Sequence, residues 1–288
     1  MSSSGVAGRR LAPGQRVRRL ATEIAGLAIA IVVFVVPFVF IVLTALKNSI
    51  EAAQLSFSMP TTWPVRQNIE DVFTARDGIL LVAFKNSGIL TVLSVTLLIV
   101  LCSMVAFVLQ RRPGKVASTA SMFMMAGLII PPAIVPTIWV LQGLGLFKSI
   151  PGLVLVEVAA LMPFTVLIYR AFIAAIPKDL DEAAVIDGCS GFGLFFRVIF
   201  PLLRPVMITV ILTQSVLIFN DFVNPLYFLP GDENATVQLT LYNFLSQFST
   251  QYNLLFMNIV LVTIPPLIMF IFFNRKIVAG MTAGAVKG

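Results

Sequence analysis

Long apolar runs alternate along this chain with short segments that are polar, basic or rich in proline. A hydrocarbon core of about 30 Å takes about 20 residues of helix at about 1.5 Å per residue. Six runs reach that length: 24–46, 86–110, 117–147, 152–175, 203–229 and 254–273. The pattern therefore predicts an all-α polytopic membrane protein with six transmembrane helices. It divides the chain into a basic tail (1–23), a first helix (24–46), an external loop (47–85), a five-helix core (86–274) and a C-terminal tail (275–288). The core is interrupted by one extended polar segment at 177–201. The third run is the longest and holds Gly127, Gly143 and Gly145 together with Pro131, Pro132 and Pro136, which predicts a bent or broken helix.

Composition makes the membrane assignment firmer. Hydrophobic residues are 58% of the chain and charged residues 11%, with mean hydropathy +0.98, too little polar surface to cover a soluble domain. There is no histidine, which removes imidazole acid–base chemistry and imidazole metal sites. Cys102 and Cys189 lie far apart in segments of different kinds and build neither a disulfide framework nor a CxxC motif. The first apolar run is too long for a signal-peptide core and lacks a small-x-small cleavage site, so it reads as a retained helix. Basic residues gather on alternate connections. Arg9, Arg10, Arg16, Arg18 and Arg19, then Arg111, Arg112 and Lys115, then Arg170, Lys178, Arg197 and Arg204, and finally Arg275, Lys276 and Lys287 fall on one side. They far outnumber Lys47, Arg66, Arg76, Lys85 and Lys148 on the other. The positive-inside rule then places both termini in the cytoplasm. The net charge of +7 reads as topology and contact with anionic membrane lipid, with no nucleic-acid partner implied.

Segment 177–201 carries the most chemistry. It reads as two short helices: Asp179 is placed to N-cap the first with Glu182 closing a capping box, Gly188 to end it in the left-handed region, and Ser190 to cap the second. The second helix carries Phe192, Leu194, Phe195, Phe196, Val198 and Ile199 before Pro201 turns the chain into the next run. An apolar helix pair exposed between two spans needs a surface to bury against, either a partner protein or the lipid interface. The spacing Glu182-Ala183-Ala184, three residues, Gly188, nine residues, Val198-Ile199-Phe200-Pro201 resembles the EAA loop of ABC importer permeases. That family prefers Ile and Leu where Val198 and Phe200 stand. The segment Asn220-Asp221-Phe222-Val223-Asn224-Pro225-Leu226 and the ending Met281 to Gly288 are similar to the sugar-uptake branch, the maltose-type G subunits above all.

The resemblance covers the chain from its first span to its end, and it implies a type I ABC importer fold in the bacterial cytoplasmic membrane. It implies transport of a carbohydrate, an oligosaccharide, by alternating access. The partners it implies are an ABC ATPase dimer, a second non-identical permease and an extracytoplasmic solute-binding protein. Glu182, Ala183, Ala184, Asp187, Gly188, Phe192, Phe195 and Pro201 would contact or shape the contact with the ATPase, and Thr282, Gly284 and Lys287 of the tail would reach its dimer interface. The chain has no GxxxxGK[ST] phosphate loop, so it is not expected to be an enzyme. ATP and Mg would be bound by the partner, and no cofactor is expected on this chain.

Glu157 and Asp221 are acids inside apolar runs, where a charge costs about 2.5–3.5 kcal/mol at insertion and so needs a polar cavity or a partner. With Asn220 and Asn224 they are candidates for a substrate path, accepting hydrogen bonds from sugar hydroxyls; the alternative is a helix–helix hydrogen bond. In the loop after the fifth run, the resemblance to sugar permeases implies Asn243, Gln247 and Gln251 as candidates for docking the solute-binding protein. Tyr227 reads as part of an interfacial aromatic belt. A permease for a polyol or glycerol phosphate stays open on the residues alone. An ion-driven secondary carrier is less well matched, because neither an internal repeat nor a mid-membrane ionisable relay is visible.

Overall fold

The structure is a computed structural model that describes residues 13–245 and 250–285, with side chains over 20–245 and 250–272. The described residues are nearly all helical. In chain order they form α1 (Pro13–Ala45), α2 (Ser49–Ala53), α3 (Val65–Leu97), α4 (Ser103–Arg111), α5 (Lys115–Ile129), α6 (Ile134–Gly143) and α7 (Ile150–Ala174). These are followed by α8 (Asp179–Ile186), α9 (Gly191–Gly193), α10 (Phe200–Leu202), α11 (Arg204–Phe219), α12 (Val223–Phe228) and α13 (Tyr252–Ala285). A π-helical turn at Leu98–Cys102 joins α3 to α4 without a break, and another at Leu194–Ile199 joins α9 to α10.

Among the described residues four helices are long and apolar enough to cross a membrane: Leu20–Ala45, Val65–Arg111, Ile150–Ala174 and Tyr252–Phe272. Gly191–Leu202 and Arg204–Phe219, bent by 74° at Leu203, make a fifth if counted together. Where the third span was expected, the chain breaks at its first two prolines: α5 ends at Ile129, Pro131 and Pro132 lie outside helix, and α6 restarts at Ile134 with Pro136 inside it. The expected fifth run is also two helices, interrupted at Asn220–Phe222. The second span starts earlier than the sequence suggests. Three consecutive left-handed residues, Arg76, Asp77 and Gly78 (φ +47°, +56° and +77°), break α3, and unbroken helix begins at Ile79. At the far end α13 runs on to Ala285, past the expected start of the tail.

Two clusters hold the bundle. One is built from Leu98, Cys102 and Ala106 with Tyr169 and Ile173 of α7 and Ile199, Leu203 and Val210, all fully buried. The other, toward the opposite end, joins Val72, Leu80 and Ala83 of α3 to Val237 and to Met257 of α13. Helix α1 stands outside both for most of its length. Nothing along its most apolar stretch is buried, and Phe40 near its end packs on Phe256 of α13, ring centroids 5.6 Å apart. In a bilayer such a face is covered by lipid or another membrane helix, and packing replaces the hydrophobic effect as the source of association.

Candidate functional site

The helix pair at 177–201 forms, with one change in how it starts. Lys178, not Asp179, is the N-cap of α8, and no side chain caps it. The amides of Asp181 and Glu182 donate to the Lys178 carbonyl (2.9 and 3.2 Å), so Asp179 is already in the first turn and the capping box does not form. Its acids still suit the positive end of the helix dipole. The C-terminus closes as a Schellman motif: Gly188 sits at φ +83°, Cys189 N–H donates to Ala184 O (2.9 Å) and Gly188 N–H to Val185 O (3.0 Å). Ser190 then caps the next helix, its Oγ accepting from Gly193 N–H (3.3 Å).

This geometry sorts the hairpin's side chains. Glu182, Ala183, Asp187, Gly188 and Pro201 are exposed, and Ala184 turns inward. Ile186 is 84% exposed and Phe192 71%, a bare apolar edge beside the acids. Phe195, expected on that edge, is instead buried against Phe107 and Phe200, ring centroids 5.5 and 5.6 Å away. The π-helical winding over Leu194–Ile199 changes which side chains share a face and turns Phe195 into the core. Phe195 therefore anchors the hairpin; it does not present it.

A charge pair fixes the hairpin to the bundle. Arg111 Nε lies 2.7 Å from Asp181 Oδ2, with side-chain exposures of 9% and 16%, and Arg111 Nη2 donates to Ile176 O (3.0 Å). The sequence suggested only a topological role for Arg111. Its signal was faint: an Arg at the last turn of an apolar helix, opposite an acid-rich one.

The polar residues of the second candidate site do meet. Glu157 on α7 is 2% exposed, and its Oε1 accepts from Asn224 Nδ2 (3.2 Å), with Asp221 beside the same carboxyl. Asp221 is not mid-helix: in the break between α11 and α12 its Oδ1 accepts from the amides of Val223 (2.9 Å) and Asn224 (3.4 Å). Asn220 bonds Val216 O and accepts from Gln238 of the following loop (3.0 Å). These contacts tie α7, the α11–α12 break and the loop together at one point.

That loop is bound down along its length. Arg76 donates to Asn243 Oδ1 (2.9 Å) and pairs with Asp232 (2.6 Å), and Asn86 donates to the carbonyls of Glu233 and Ala235 (3.0 and 3.1 Å). Ser87 Oγ accepts from Val237 N–H (3.0 Å), and Tyr242 stacks on Phe222 at 5.3 Å. Asn243 is thus engaged by its own chain. Gln251 is exposed and lines a polar recess with Asn48 and Asp71. Gln247 and Lys287 lie outside the described residues; Thr282 and Gly284 are in α13, where side chains are not described. In the loop after α1, Asn48 caps α2 and the Glu51 carboxylate accepts from Thr61 Oγ1 and N–H, which holds it below the usual carboxylate range. Among the described residues no three acidic or cysteine side chains gather as a metal would need.

A helical membrane bundle that interrupts its spans with a rigid, acid-lined apolar hairpin has the fold of an ABC importer permease. The chain matches a subunit in the crystal structure of a bacterial ABC transporter involved in the import of the acidic polysaccharide alginate, with TM-score 0.80 over 93% of this chain and 99% of that one, at 15% identity. Residues 98–283 match the family described as binding-protein-dependent transport system inner membrane component, and the chain belongs to that family. Among its relatives is the melibiose/raffinose/stachyose import permease protein MelC of Bacillus subtilis (strain 168), 32% identical over 72% of this chain and 76% of MelC. Another is the diacetylchitobiose uptake system permease protein NgcG of Streptomyces coelicolor, 31% identical over 89% of this chain and 85% of NgcG. The protein is a multi-pass inner-membrane subunit of an ABC importer.

Proposed function

We propose that this chain is the permease subunit of an ATP-driven importer of carbohydrate, an oligosaccharide, moved by alternating access. The observation that carries the reading is the hairpin at 177–201. Its apolar edge at Ile186 and Phe192 is bare while its base is locked to α4, an arrangement suited to transmitting force from a docked partner. The partner is a separate ABC ATPase, which supplies ATP, Mg and hydrolysis. Glu182 offers it a polar contact, Gly188 sets the angle between the two helices, and the tail around Thr282, Gly284 and Lys287 reaches toward it.

The distribution of basic residues supports cytoplasmic termini, with the hairpin on the inner face and the loop 230–253 on the outer one. A second, non-identical permease covers apolar faces that this chain leaves open. A solute-binding protein delivers the sugar to the outer face, near Asn243, Gln247 and Gln251. The relatives' named substrates, melibiose, raffinose, stachyose and diacetylchitobiose, support an oligosaccharide cargo. The cluster of Glu157, Asn220, Asp221 and Asn224 stands on the translocation path, where carboxylate and amide oxygens accept from sugar hydroxyls.

The test is affinity purification of the tagged chain in mild detergent, followed by sugar uptake in proteoliposomes. An ATPase and a second permease should accompany the wild type, and the ATPase should be lost from a chain carrying Ile186→Asp and Phe192→Asp. A chain that purifies alone under every mild condition overturns the reading.

A further inference from the structure

Beside the hairpin, an apolar groove of about 260 Å³ opens between the last turns of α4 and the start of the hairpin's second helix. Met104, Phe107 and Val108 line it from α4, and Phe192 and Phe195 from the hairpin. Gly191 lines it too, and a Cβ added there would meet no atom within 4 Å, so the groove is open down to the backbone. Among the described residues, Arg112 is the one charged side chain on its lining.

The two arginines that end α4 are used differently. Arg111 is paired with Asp181, whereas Arg112 is exposed and makes no ion pair and no side-chain hydrogen bond among the described residues. Lys115, three residues on, is exposed and equally unpaired among them. From Met104 to Arg112 the helix rises about 12 Å, most of one leaflet's share of a hydrocarbon core about 30 Å thick. Met104, Phe107 and Val108 belong to the stretch Val65–Arg111, which is apolar enough to cross a membrane. The groove therefore follows a span inward from its cationic end. A water-soluble ATPase can meet the hairpin's bare edge but cannot follow the groove to that depth. Apolar side chains of a second permease could fill it, but they would leave the Arg112 guanidinium without a counter-charge.

We propose that this groove seats an anionic phospholipid of the cytoplasmic leaflet, with its phosphate on Arg112 and one acyl chain between α4 and the hairpin. The proposal rests on the permease reading, which sets the hairpin at the inner face, and adds lipid as a partner of the coupling element. Both ends of the ligand match the site. Arg112, with its stem along apolar surface, reaches the headgroup layer and forks onto phosphate oxygens. The chain covers Phe107, Val108 and Phe192, which water would otherwise wet. A zwitterionic lipid brings the same chain but carries its own cation beside the phosphate, so it gains less from Arg112 and Lys115.

The experiment uses the assembled transporter in nanodiscs of equal parts phosphatidylcholine and phosphatidylglycerol. Trace phosphatidylglycerol or phosphatidylcholine with a photoactivatable acyl chain is added, and the labelled peptides are mapped by mass spectrometry. Residues 104–108 and 191–195 should both be labelled, about fivefold more by the anionic probe, the preference one basic residue gives at a membrane surface. Arg112→Gln should bring the two probes to parity, and Arg112→Lys should keep most of the preference. Gly191→Leu fills the groove with Arg112 in place and should lower labelling by both probes; Arg112→Gln, an exposed change, covers the case in which Gly191→Leu fails to assemble. Equal labelling of the wild type by both probes, or a preference that survives Arg112→Gln, overturns the proposal. Labelling that appears only when the ATPase is left out gives the groove to the ATPase and overturns it as well. Sugar uptake by a transporter whose groove takes no label discards the lipid and keeps the importer. A chain without an ATPase partner and without sugar uptake discards the importer reading, and labelling of that chain in the same nanodiscs still decides for or against the lipid.

Discussion

Breaking the Arg111–Asp181 pair should loosen the hairpin while leaving the bundle folded. At 2.7 Å and an effective dielectric of about 20, the gross attraction is about 6 kcal/mol. Desolvation takes back most of this, and removing one partner of a well-buried pair costs about 3–5 kcal/mol. Asp181 keeps some access to water, and Arg111 keeps its bond to Ile176 O, so about 2 kcal/mol is the expected cost of Asp181→Asn. That is a factor of about 30 in a local opening equilibrium. The amides of Asp187, Gly188 and Cys189, which close α8, report it directly: their hydrogen exchange in nanodiscs should speed up by about that factor, while amides of α7 stay unchanged. Arg111→Met combined with Asp181→Leu removes both charges and should recover most of the protection, giving a non-additive cycle. Uptake should follow the same order. Exchange in Asp181→Asn within a factor of about two of wild type, or a double variant as loose as the single ones added together, would refute the reasoning.

Gly188→Val should cost about 1–2 kcal/mol at the hairpin from backbone strain alone, because φ is +83° and no atom crowds the added Cβ. Gly188→Asn should recover much of the transport lost, and uptake assays separate the two. Asp221→Ala removes the acceptor for two amides in the α11–α12 break and should lower transport rate and affinity together. Asp221→Asn keeps an acceptor and loses a charge, and normal uptake by that variant would take Asp221 off the substrate path. For Glu51 the folded carboxyl titrates below its unfolded value, so its bonds to Thr61 stabilise the loop above about pH 4.3 and are lost as pH falls through the folded value. Limited proteolysis of 50–61 should rise at low pH in the wild type and already at neutral pH in Thr61→Val.

The parts of this fold that the sequence made legible are those with a local cause. Gly188 closes a helix and Ser190 opens the next, and each needs no knowledge of a neighbour; Pro131 and Pro132 mark a break, although Pro265 and Pro266 stand inside the unbroken α13. What stayed hidden depends on contacts distant in the chain. Asp179 has the composition of a cap, but Asp181 is drawn to Arg111 and the helix starts a residue earlier. Phe195 sits in an apolar stripe that reads as one face, and only the π-helical winding shows that the stripe divides. Asp221 looked like a charge inside a span because Asn220–Phe222 contains neither proline nor glycine. Asn86 looked like the start of a helix, whereas its amide holds a loop nearly 150 residues later.

Helix α1 carries a consequence for how the protein is made. Its principal packing partner is α13, which leaves the ribosome after every other described helix. At about 5–20 residues per second, α1 must wait on the order of 10 s or more in the bilayer before that partner exists. A helix left waiting cannot carry polar groups that depend on a late neighbour. Residues 24–43, within the most hydropathic of the four long helices, carry no polar side chain. The order of synthesis thus bears on the composition of α1, and the α1–α13 contact can close only after the intervening helices have been made.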